Sequence, residues 1–376
     1  MHNFKFIHTA DWHIGRVFAG FPDDVAATLK HARVTVIDRI AAVARAHGAA
    51  HVLVAGDTYD SDELADKDLR APIERLRSCS DITWHIIPGN HDPLADDGVW
   101  SRLSALGLPD NVHVLTDQTP IEIAPRIWVL PAPLTAGITS GDPTSRMEAA
   151  LTPDGAARIG LAHGPTSAFG DGTDAATIDP SCAIRAGLAY LALGDWHGEQ
   201  DVAAKVRYSG TPEPEQFKAN LAGRVTVVTV SDGVVSALES VETAQHVWLR
   251  SEPGALPLGD LDVLIGQVAD LGARAPDAIV RVKLRGRIEA DGYRDLEQRR
   301  AQLDASVRHM VWDQSELSLA ADAAALSAVL TTPALTDVAE RLAHKANAES
   351  REGTVAARAL RLLLTLAETR AETERG

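Results

Sequence analysis

Five short segments of the chain carry residues of the types that bind metal ions. They read DWH at 11–13, GDTYD at 56–60, GNHD at 89–92, HG at 163–164 and GDWH at 194–197. Each segment follows a short apolar run, and four contain a glycine, which lets the backbone turn sharply where a side chain must face a pocket. Carboxylates, amide oxygens and neutral imidazoles are the ligands that hard and borderline divalent cations select. The sequence therefore predicts a metal centre built from several separate loops.

The candidate ligands are numerous enough for two metal ions. They are Asp11, His13, Asp57, Asn90, His163, Asp195 and His197. Asp57 is the carboxylate that we expect to bridge two cations ~3.5–4 Å apart, the spacing of two-metal hydrolytic sites. Mixed oxygen and imidazole ligation suits Mn(II), Fe(II) or Zn(II), with Mg(II) as a fourth candidate, and the residue types do not choose among them. Such a centre activates water and neutralises charge on phosphoryl oxygens, which indicates hydrolysis of a phosphoester.

The apolar runs that precede these segments are predicted to be strands, because they are short and rich in β-branched residues. They occupy residues 4–7, 52–54, 82–87, 112–115, 127–130, 159–162, 188–193, 225–230 and 234–238. Between the first two, apolar residues recur every three or four positions, which predicts a helix over 24–47 that ends at Gly48. A strand, a helix and a strand in this order imply a partly parallel sheet. Ligands gather beyond the carboxyl ends of such strands, so the five segments should converge on one crevice.

The pattern changes near residue 245, where we place a domain boundary. Residues 1–244 are predicted to form the catalytic domain and residues 245–318 a small α/β domain. The latter has strands at 245–250, 278–284 and 307–312 and helices at 258–271 and 293–303. Residues 319–376 are rich in alanine and leucine and read as a helical segment. There Leu360, Leu363 and Leu364 form an apolar stripe, which we expect to dock a partner; the competing interpretation is that it folds back onto the α/β domain.

Composition and charge exclude some classes of function. The chain has 376 residues, with 36 Lys and Arg against 52 Asp and Glu, a formal net charge of −16. This charge repels nucleic acid at long range and argues against binding through a broad basic surface. No apolar run reaches the roughly 18 residues of a membrane span, and the two cysteines, Cys79 and Cys182, have no metal-binding spacing. We therefore expect a cytoplasmic protein without membrane contact, its cysteines buried.

The five segments, in this order and each after a predicted strand, resemble the calcineurin-like metallophosphoesterase superfamily over about residues 4–215. The opening FIHTADWHIGR, the segment YSGTPEPEQF at 208–217 and the small α/β unit further resemble the SbcD type of DNA-repair exonuclease. The resemblance implies an α/β fold in which a two-sheet sandwich is flanked by helices, followed by a cap domain and a helical C-terminal segment. It also implies that the chain hydrolyses phosphodiester bonds in DNA as an exonuclease or endonuclease with two divalent metal ions, of which we favour Mn(II).

The resemblance assigns a role to each candidate residue. The first metal would be held by Asp11, His13, Asp57 and His197, and the second by Asp57, Asn90, His163 and Asp195. His91 would protonate the leaving oxygen or steady the transition state, and Asp60 would support it. The family usually presents GHxH where this chain has GDWH. Asp195 can ligate through oxygen; the alternative is that it points away from the metal and orients His197.

The resemblance also implies partners, namely DNA, an ATPase of the SbcC type with long coiled coils, and a second copy of the chain. Four cations alternate with apolar residues in the second domain, which places them on one strand face. This cation strip consists of Arg281, Lys283, Arg285 and Arg287. It could contact DNA phosphates, whereas an ordinary solvated strand face is the simpler interpretation.

Two other functions remain open on the sequence alone. One is a phosphatase or cyclic-nucleotide phosphodiesterase of the same superfamily, for which the second domain would be surplus. The other is a non-catalytic metal-binding scaffold of a DNA-repair complex. The complete ligand set, together with His91, weighs against the scaffold, whereas the negative charge weighs modestly against the nuclease.

Overall fold

The chain divides into two units, residues 1–246 and residues 247–376. The computed structural model describes residues 3–137, 140–167, 176–218, 220–251, 257–320, 332–346, 350–353, 355–356, 358–360 and 362–363. Within 257–320, the side chains of residues 257, 287, 289–291 and 318–320 are not described. The unit boundary lies close to residue 245, where the sequence pattern changes.

The first unit is built from strands and a few helices. The strands are β1 (Asn3–Thr9), β2 (His51–Ala55), β3 (Thr83–Ile87), β4 (Val112–Val114), β5 (Ile121–Ala124), β6 (Ile127–Ala132), β7 (Ala157–His163), β8 (Tyr190–Gly194), β9 (Gln200–Ala203), β10 (Val206–Tyr208), β11 (Arg224–Ser231) and β12 (Val234–Glu242). The helices are α1 (Asp23–His47), α2 (Asp66–Ser78), α3 (Val99–Leu106) and α4 (Cys182–Arg185).

These strands form two six-stranded sheets within the described residues. The first has the order β12-β11-β1-β2-β3-β4, and the second has the order β5-β6-β7-β8-β10-β9. Strands β1 to β4 run parallel, as do β6, β7, β8 and β10, whereas β11, β12, β5 and β9 pair antiparallel. The parallel strands that precede the five predicted segments therefore all point the same way within their own sheet.

The two sheets pack face to face. Phe6 and Leu53 of the first sheet share one buried cluster with Ile159 and Tyr190 of the second. A different cluster joins the outer face of the first sheet to α1 and α2, and another joins the outer face of the second sheet to α4. Parallel strands covered on both faces need apolar residues at nearly every position. This explains why the sequence shows continuous apolar runs there, and it confirms the predicted helix-flanked sandwich.

Helix α1 illustrates how local sequence sets an element. Asp23 and Asp24 lie in its first turn and Arg45 and His47 in its last, which complements the helix dipole at both ends. Gly48 follows with φ of 68°, a left-handed conformation that ends the helix where the sequence predicts.

The second unit contains a three-stranded parallel sheet of order β13-β14-β15. Its elements are β13 (Val247–Arg250), α5 (Pro257–Asp270), a short 3-10 helix (Gly272–Asp277), β14 (Ala278–Glu289), α6 (Ala290–Ser306), β15 (His309–Ala320) and α7 (Pro333–Ala346). The predicted order of strands and helices is therefore present, and a helical C-terminal segment follows it. Among the described helices, none has the length and apolarity needed to cross a membrane. Cys79 and Cys182 are buried free thiols, as predicted.

The apolar stripe near the C-terminus packs inside its own unit. Leu360 is fully buried in a cluster with Leu303, Leu317 and Ala339, and Leu363 packs against the same cluster. Leu364 lies outside the described residues. The expectation that this stripe docks a partner is thus wrong for Leu360 and Leu363, and the competing interpretation describes them. Burial of these leucines removes apolar area from water. The sequence pattern alone does not distinguish burial inside the unit from burial against a partner.

This packing predicts that Leu360→Ala destabilises the second unit by ~2–5 kcal/mol, the usual range for a buried leucine that leaves a cavity. The matched control is Leu362→Ala, since Leu362 is 62% exposed two residues away. Chemical denaturation of both variants measures the difference. Equal unfolding midpoints for the two variants would contradict the buried position of Leu360.

Candidate metal centre

The five predicted segments lie at the carboxyl ends of five parallel strands. Those of residues 11–13, 56–60 and 89–92 follow β1, β2 and β3 in the first sheet, whereas β7 ends at His163 and β8 at Gly194 in the second. The first two segments are joined beyond their strands, because the backbone N–H of Asp11 donates to the Gly56 carbonyl at 3.1 Å and that of His13 to the Asp57 carbonyl at 3.0 Å. The two sheets thus direct their loops to one place.

Four of the predicted ligand residues have an uncommon backbone conformation. The φ angles of Asp11, His13, Asp57 and Asp195 are 55°, 45°, 51° and 109°. Non-glycine residues with positive φ cost of order 1–3 kcal/mol each and persist only where the surrounding structure holds them. Their concentration in these loops is the pattern that such strain shows at functional sites.

The first donor group consists of Asp11, His13 and His197, whose donor atoms lie within 4.8 Å of one another. Nδ1 of His13 faces the Asp60 carboxylate at 3.1 Å, and Nδ1 of His197 faces the Glu215 carboxylate at 2.6 Å. A carboxylate can only accept, so the His197 ring carries a proton on Nδ1, whereas Nδ1 of His13 is buried beside Asp60 without a hydrogen bond.

The ring nitrogens of the first donor group lie close together. Nε2 of His13 and Nε2 of His197 are 3.2 Å apart, and in the neutral His197 ring Nε2 is unprotonated because the proton is on Nδ1. Beside them, Oδ2 of Asp11 is buried without a hydrogen-bond partner. These three atoms could bind one cation, and the Glu215 contact fits this because metal-binding histidines are commonly oriented by a carboxylate on the opposite ring nitrogen.

The second donor group consists of Asp11, Asp57 and His163. Nδ1 of His163 donates to the Ala55 carbonyl at 2.7 Å, which leaves Nε2 at 2.7 Å from Oδ1 of Asn90 and 3.5 Å from Oδ2 of Asp57. The same oxygen of Asp57 is 3.7 Å from Nε2 of His13. Asp57 therefore lies between the two groups, where a bridging carboxylate belongs, and Asp11 is a member of both.

Burial and mutual charge shift the pKa values of these groups in the metal-free protein. Burial raises the pKa of Asp11 to about 7, against the lowering effect of His163 and His197. Burial also disfavours the charged form of His163, but Asp57 and Asp11 outweigh it and raise the pKa of His163 to about 10. A proton thus occupies this cluster where the sequence predicts a cation. Metal binding must displace this proton. Metal affinity should therefore rise as the pH approaches about 10, the pKa of His163.

His91 and Asp60 form a third donor group with His13, at the edge of the first. The His91 ring contacts the His13 ring edge to face at 4.7 Å, and Nδ1 of His91 bonds the backbone carbonyl of Asp60 at 3.0 Å. His91 is exposed, and its Nε2 has no hydrogen bond among the described residues. The Asp60 carboxylate instead contacts His13 and Arg16. Asp60 therefore supports His91 through its backbone and His13 through its side chain.

Comparison with known proteins agrees with this geometry. Residues 4–185 match the calcineurin-like phosphoesterase family. This part of the chain belongs to the calcineurin-like phosphoesterase family. We call the unit that contains it, residues 1–246, the phosphoesterase domain. Members of the family are metal-dependent hydrolases of phosphoesters. This explains why the phosphoesterase domain contains groups of side chains that could bind a metal ion.

Solved structures and curated proteins add little to the family match. A crystal structure of TT1561 of Thermus thermophilus is similar at 11% identity and a TM-score of 0.41, covering 64% of this chain and 100% of that one. A second solved structure has the same identity and coverage with a TM-score of 0.40. No curated protein matches the chain.

Asp195 takes part in the phosphoesterase domain mainly through its backbone. Its N–H donates to Oδ1 of Asp11 at 2.9 Å, and its carboxylate belongs to none of the donor groups found among the described residues. Burial raises the pKa of Asp195. The alternative that Asp195 orients His197 is wrong, because Glu215 occupies Nδ1 of that ring. Direct ligation by Asp195 stays a prediction.

Several residues that organise the phosphoesterase site were not predicted from the sequence. Asp92, the last residue of GNHD, accepts from the backbone N–H of Gly89 at 2.7 Å and of Tyr59 at 3.0 Å, and so ties two site loops together. Arg16, in the loop after β1, pairs with Asp60 and Glu215 at 3.2 Å each. Asp92 is part of the GNHD segment, and this position is the sequence signal that could have indicated its structural role at the site.

The sequence analysis also did not predict Glu215 and Arg33, although the sequence contains a signal for each. Glu215 lies in YSGTPEPEQF, one of the segments that resemble the SbcD type. Arg33 follows Leu29 by four positions and so lies on the apolar face of α1, where a cation needs a buried partner. Arg33 and Glu215 form an ion pair at 3.0 Å, and the exposed fraction of the side chain is 1% for Arg33 and 2% for Glu215.

The cation strip lies on β14 as the alternation predicts, because Val280, Val282 and Leu284 are buried between its members. Lys283 and Arg285 both pair with Glu316 of β15, at 2.5 and 2.7 Å. The Arg287 side chain lies outside the described residues, and Arg281 is exposed. These ion pairs agree with a solvated strand face, and contact with DNA stays a prediction.

The close approach of Gly56 to His163 gives a test of the site geometry. A methyl group added at Gly56 would lie 2.3 Å from Nδ1 of His163, so we expect Gly56→Ala to displace that ring and weaken Mn²⁺ binding ~10–100-fold. Gly107→Ala is the matched control, since Gly107 has nearly the same φ (89° against 87°) but no atom within 4 Å. Calorimetric Mn²⁺ titration separates the two; equal affinities would exclude His163 from the metal centre.

Proposed function

We propose that the phosphoesterase domain hydrolyses phosphodiester bonds in DNA with two divalent metal ions, as an SbcD-type exonuclease of DNA repair. The observation that carries hydrolysis is the pair of donor groups that share Asp11, with Asp57 between them and the exposed His91 at their edge. The bound metals would supply charge neutralisation at the phosphoryl oxygens and a water activated for attack. We propose Mn(II) as the physiological ion.

The chain's own residues divide this work. In the proposal the first metal is held by Asp11, His13, Asp57 and His197, and the second by Asp57, Asn90 and His163, with Asp195 as a further ligand. Asp60 and Glu215 hold the two imidazoles of the first site through Nδ1. The His91 ring donates from Nδ1 to the Asp60 carbonyl, which leaves Nε2 facing the site; as an imidazolium the ring would donate its Nε2 proton to the leaving oxygen.

Support for DNA as the substrate comes from two segments, FIHTADWHIGR and YSGTPEPEQF, which resemble the SbcD type. YSGTPEPEQF places Glu215 against His197, and FIHTADWHIGR places Arg16 against Glu215 and Asp60. The segments that resemble the SbcD type thus build the metal centre itself. By the same resemblance we propose a coiled-coil ATPase of the SbcC type and a second copy of the chain as partners.

A second candidate is a phosphatase or cyclic-nucleotide phosphodiesterase. The net charge of −16 and the pairing of Lys283 and Arg285 with Glu316 favour a small substrate, because both cations already share one carboxylate. A long polyanion would have to compete with Glu316 for them.

One assay series decides between the candidates. The full chain with Mn²⁺ is offered linear duplex DNA, single-stranded DNA, a cyclic nucleotide and p-nitrophenyl phosphate esters, each with and without EDTA. We expect EDTA-sensitive DNA hydrolysis. Turnover of the small esters alone would establish the second candidate, and tight Mn²⁺ binding with no turnover of any substrate would indicate a scaffold.

His91 should contribute chemistry without holding metal. We expect His91→Asn to keep the fold and the Mn²⁺ content while kcat falls ~10²–10⁴-fold, the range of a lost general acid. Elemental analysis and steady-state kinetics measure the two quantities. Loss of metal from this variant, or hydrolysis at the parent rate, would refute the assigned role.

A further inference from the structure

A buried ion pair outside every metal-binding motif links two loops of the metal centre. Nη1 of Arg33 donates to the carbonyl of Trp12 at 2.5 Å, between Asp11 and His13. Nη2 of the same guanidinium donates to Oε2 of Glu215 at 3.0 Å and to the Glu213 carbonyl at 3.1 Å. One side chain of α1 therefore fixes the loop after β1 to the segment at 213–215.

The other oxygen of Glu215 reaches the predicted metal ligand. Oε1 accepts from Nδ1 of His197 at 2.6 Å, which orients the ring and leaves Nε2 directed toward His13. Arg16 adds a further contact to Oε2 at 3.2 Å.

We propose that Glu215 and Arg33 are positioning residues for the first metal site, Glu215 fixing the His197 ring and Arg33 holding Glu215 in place relative to the loop of His13. The inference rests on the proposed metal use of the phosphoesterase domain. The physical reason is that His13 and His197 lie in loops that follow strands of different sheets. The distance between the two rings therefore depends on contacts between those loops. A guanidinium with donors in a fixed plane suits this, since it can bond both loops at once.

The chain offers a matched control in Glu213. It lies two residues before Glu215, is 2% exposed, and pairs with another arginine of α1, Arg39, at 2.6 Å. Its carboxylate accepts from the backbone N–H of Gln245 and of His246, at 2.8 and 3.0 Å. It contacts no predicted metal ligand among the described residues. Replacing it removes a buried carboxylate of the same segment without touching His197.

The test titrates the full chain with Mn²⁺ by calorimetry, without DNA, in the parent, Glu215→Gln and Glu213→Gln. We expect Glu215→Gln to weaken one of two binding steps ~10–100-fold, the usual effect of removing the partner of a metal-bound imidazole. The other step should keep its affinity, and Glu213→Gln should keep both. Glu215→Asp, which retains the charge but withdraws the carboxylate by one methylene, should weaken the same step and serves if the glutamine variant does not fold.

Parent affinity in both Glu215 variants would overturn the inference. Equal weakening by Glu213→Gln would overturn it too, because order in the segment and not the contact with His197 would then be responsible. A parent chain that binds Mn²⁺ without cutting DNA refutes the proposed function and leaves the positioning role intact. A parent chain that binds no Mn²⁺ refutes both.

Discussion

The structure of the phosphoesterase domain depends on holding buried acceptors face to face. Nε2 of His13 and Nε2 of His197 lie 3.2 Å apart beside Oδ2 of Asp11, which is buried without a hydrogen-bond partner. A buried acceptor without a partner is costly unless a cation or a proton reaches it. The surrounding structure holds these atoms in place. Glu215 bonds Nδ1 of His197, the backbone N–H of Asp195 bonds Asp11, and the loops contain residues with positive φ.

Parallel strands supply the place where this is feasible. All the strands that deliver candidate ligands end at the same edge of their sheets, and their apolar runs are buried on both faces. A rigid frame of this kind can hold strained loops, because distortion of a loop would have to disturb close packing behind it. Asp92 shows the same principle on a smaller scale, since its buried carboxylate bonds backbone groups of two different loops.

The sequence predicted most of the frame because its signals are local. Apolar runs followed by DWH, GDTYD or GNHD can be read within a few residues, and Gly48 marks the end of α1 where the structure has it. What escaped was short, interrupted or distant. Strand β10 has only three residues, and α2 carries an internal Pro72. Glu215 and Arg33 are 182 residues apart, and no periodicity encodes such a pairing. Leu360 was misassigned because an apolar stripe looks the same whether it faces a partner or its own core.

The division of the candidate ligands between two sheets has a consequence for how the domain assembles. His13 and His197 meet across 184 residues of chain, so the first donor group joins distant parts of the chain. A nascent chain that has completed β1 to β6 carries Asp11, His13, Asp57 and Asn90 but neither His163 nor His197. Such contacts form late, after the entropy of closing long loops has been overcome. Cation capture would therefore be one of the last events in folding, and any opening between the sheets would release the ion before either sheet itself melts.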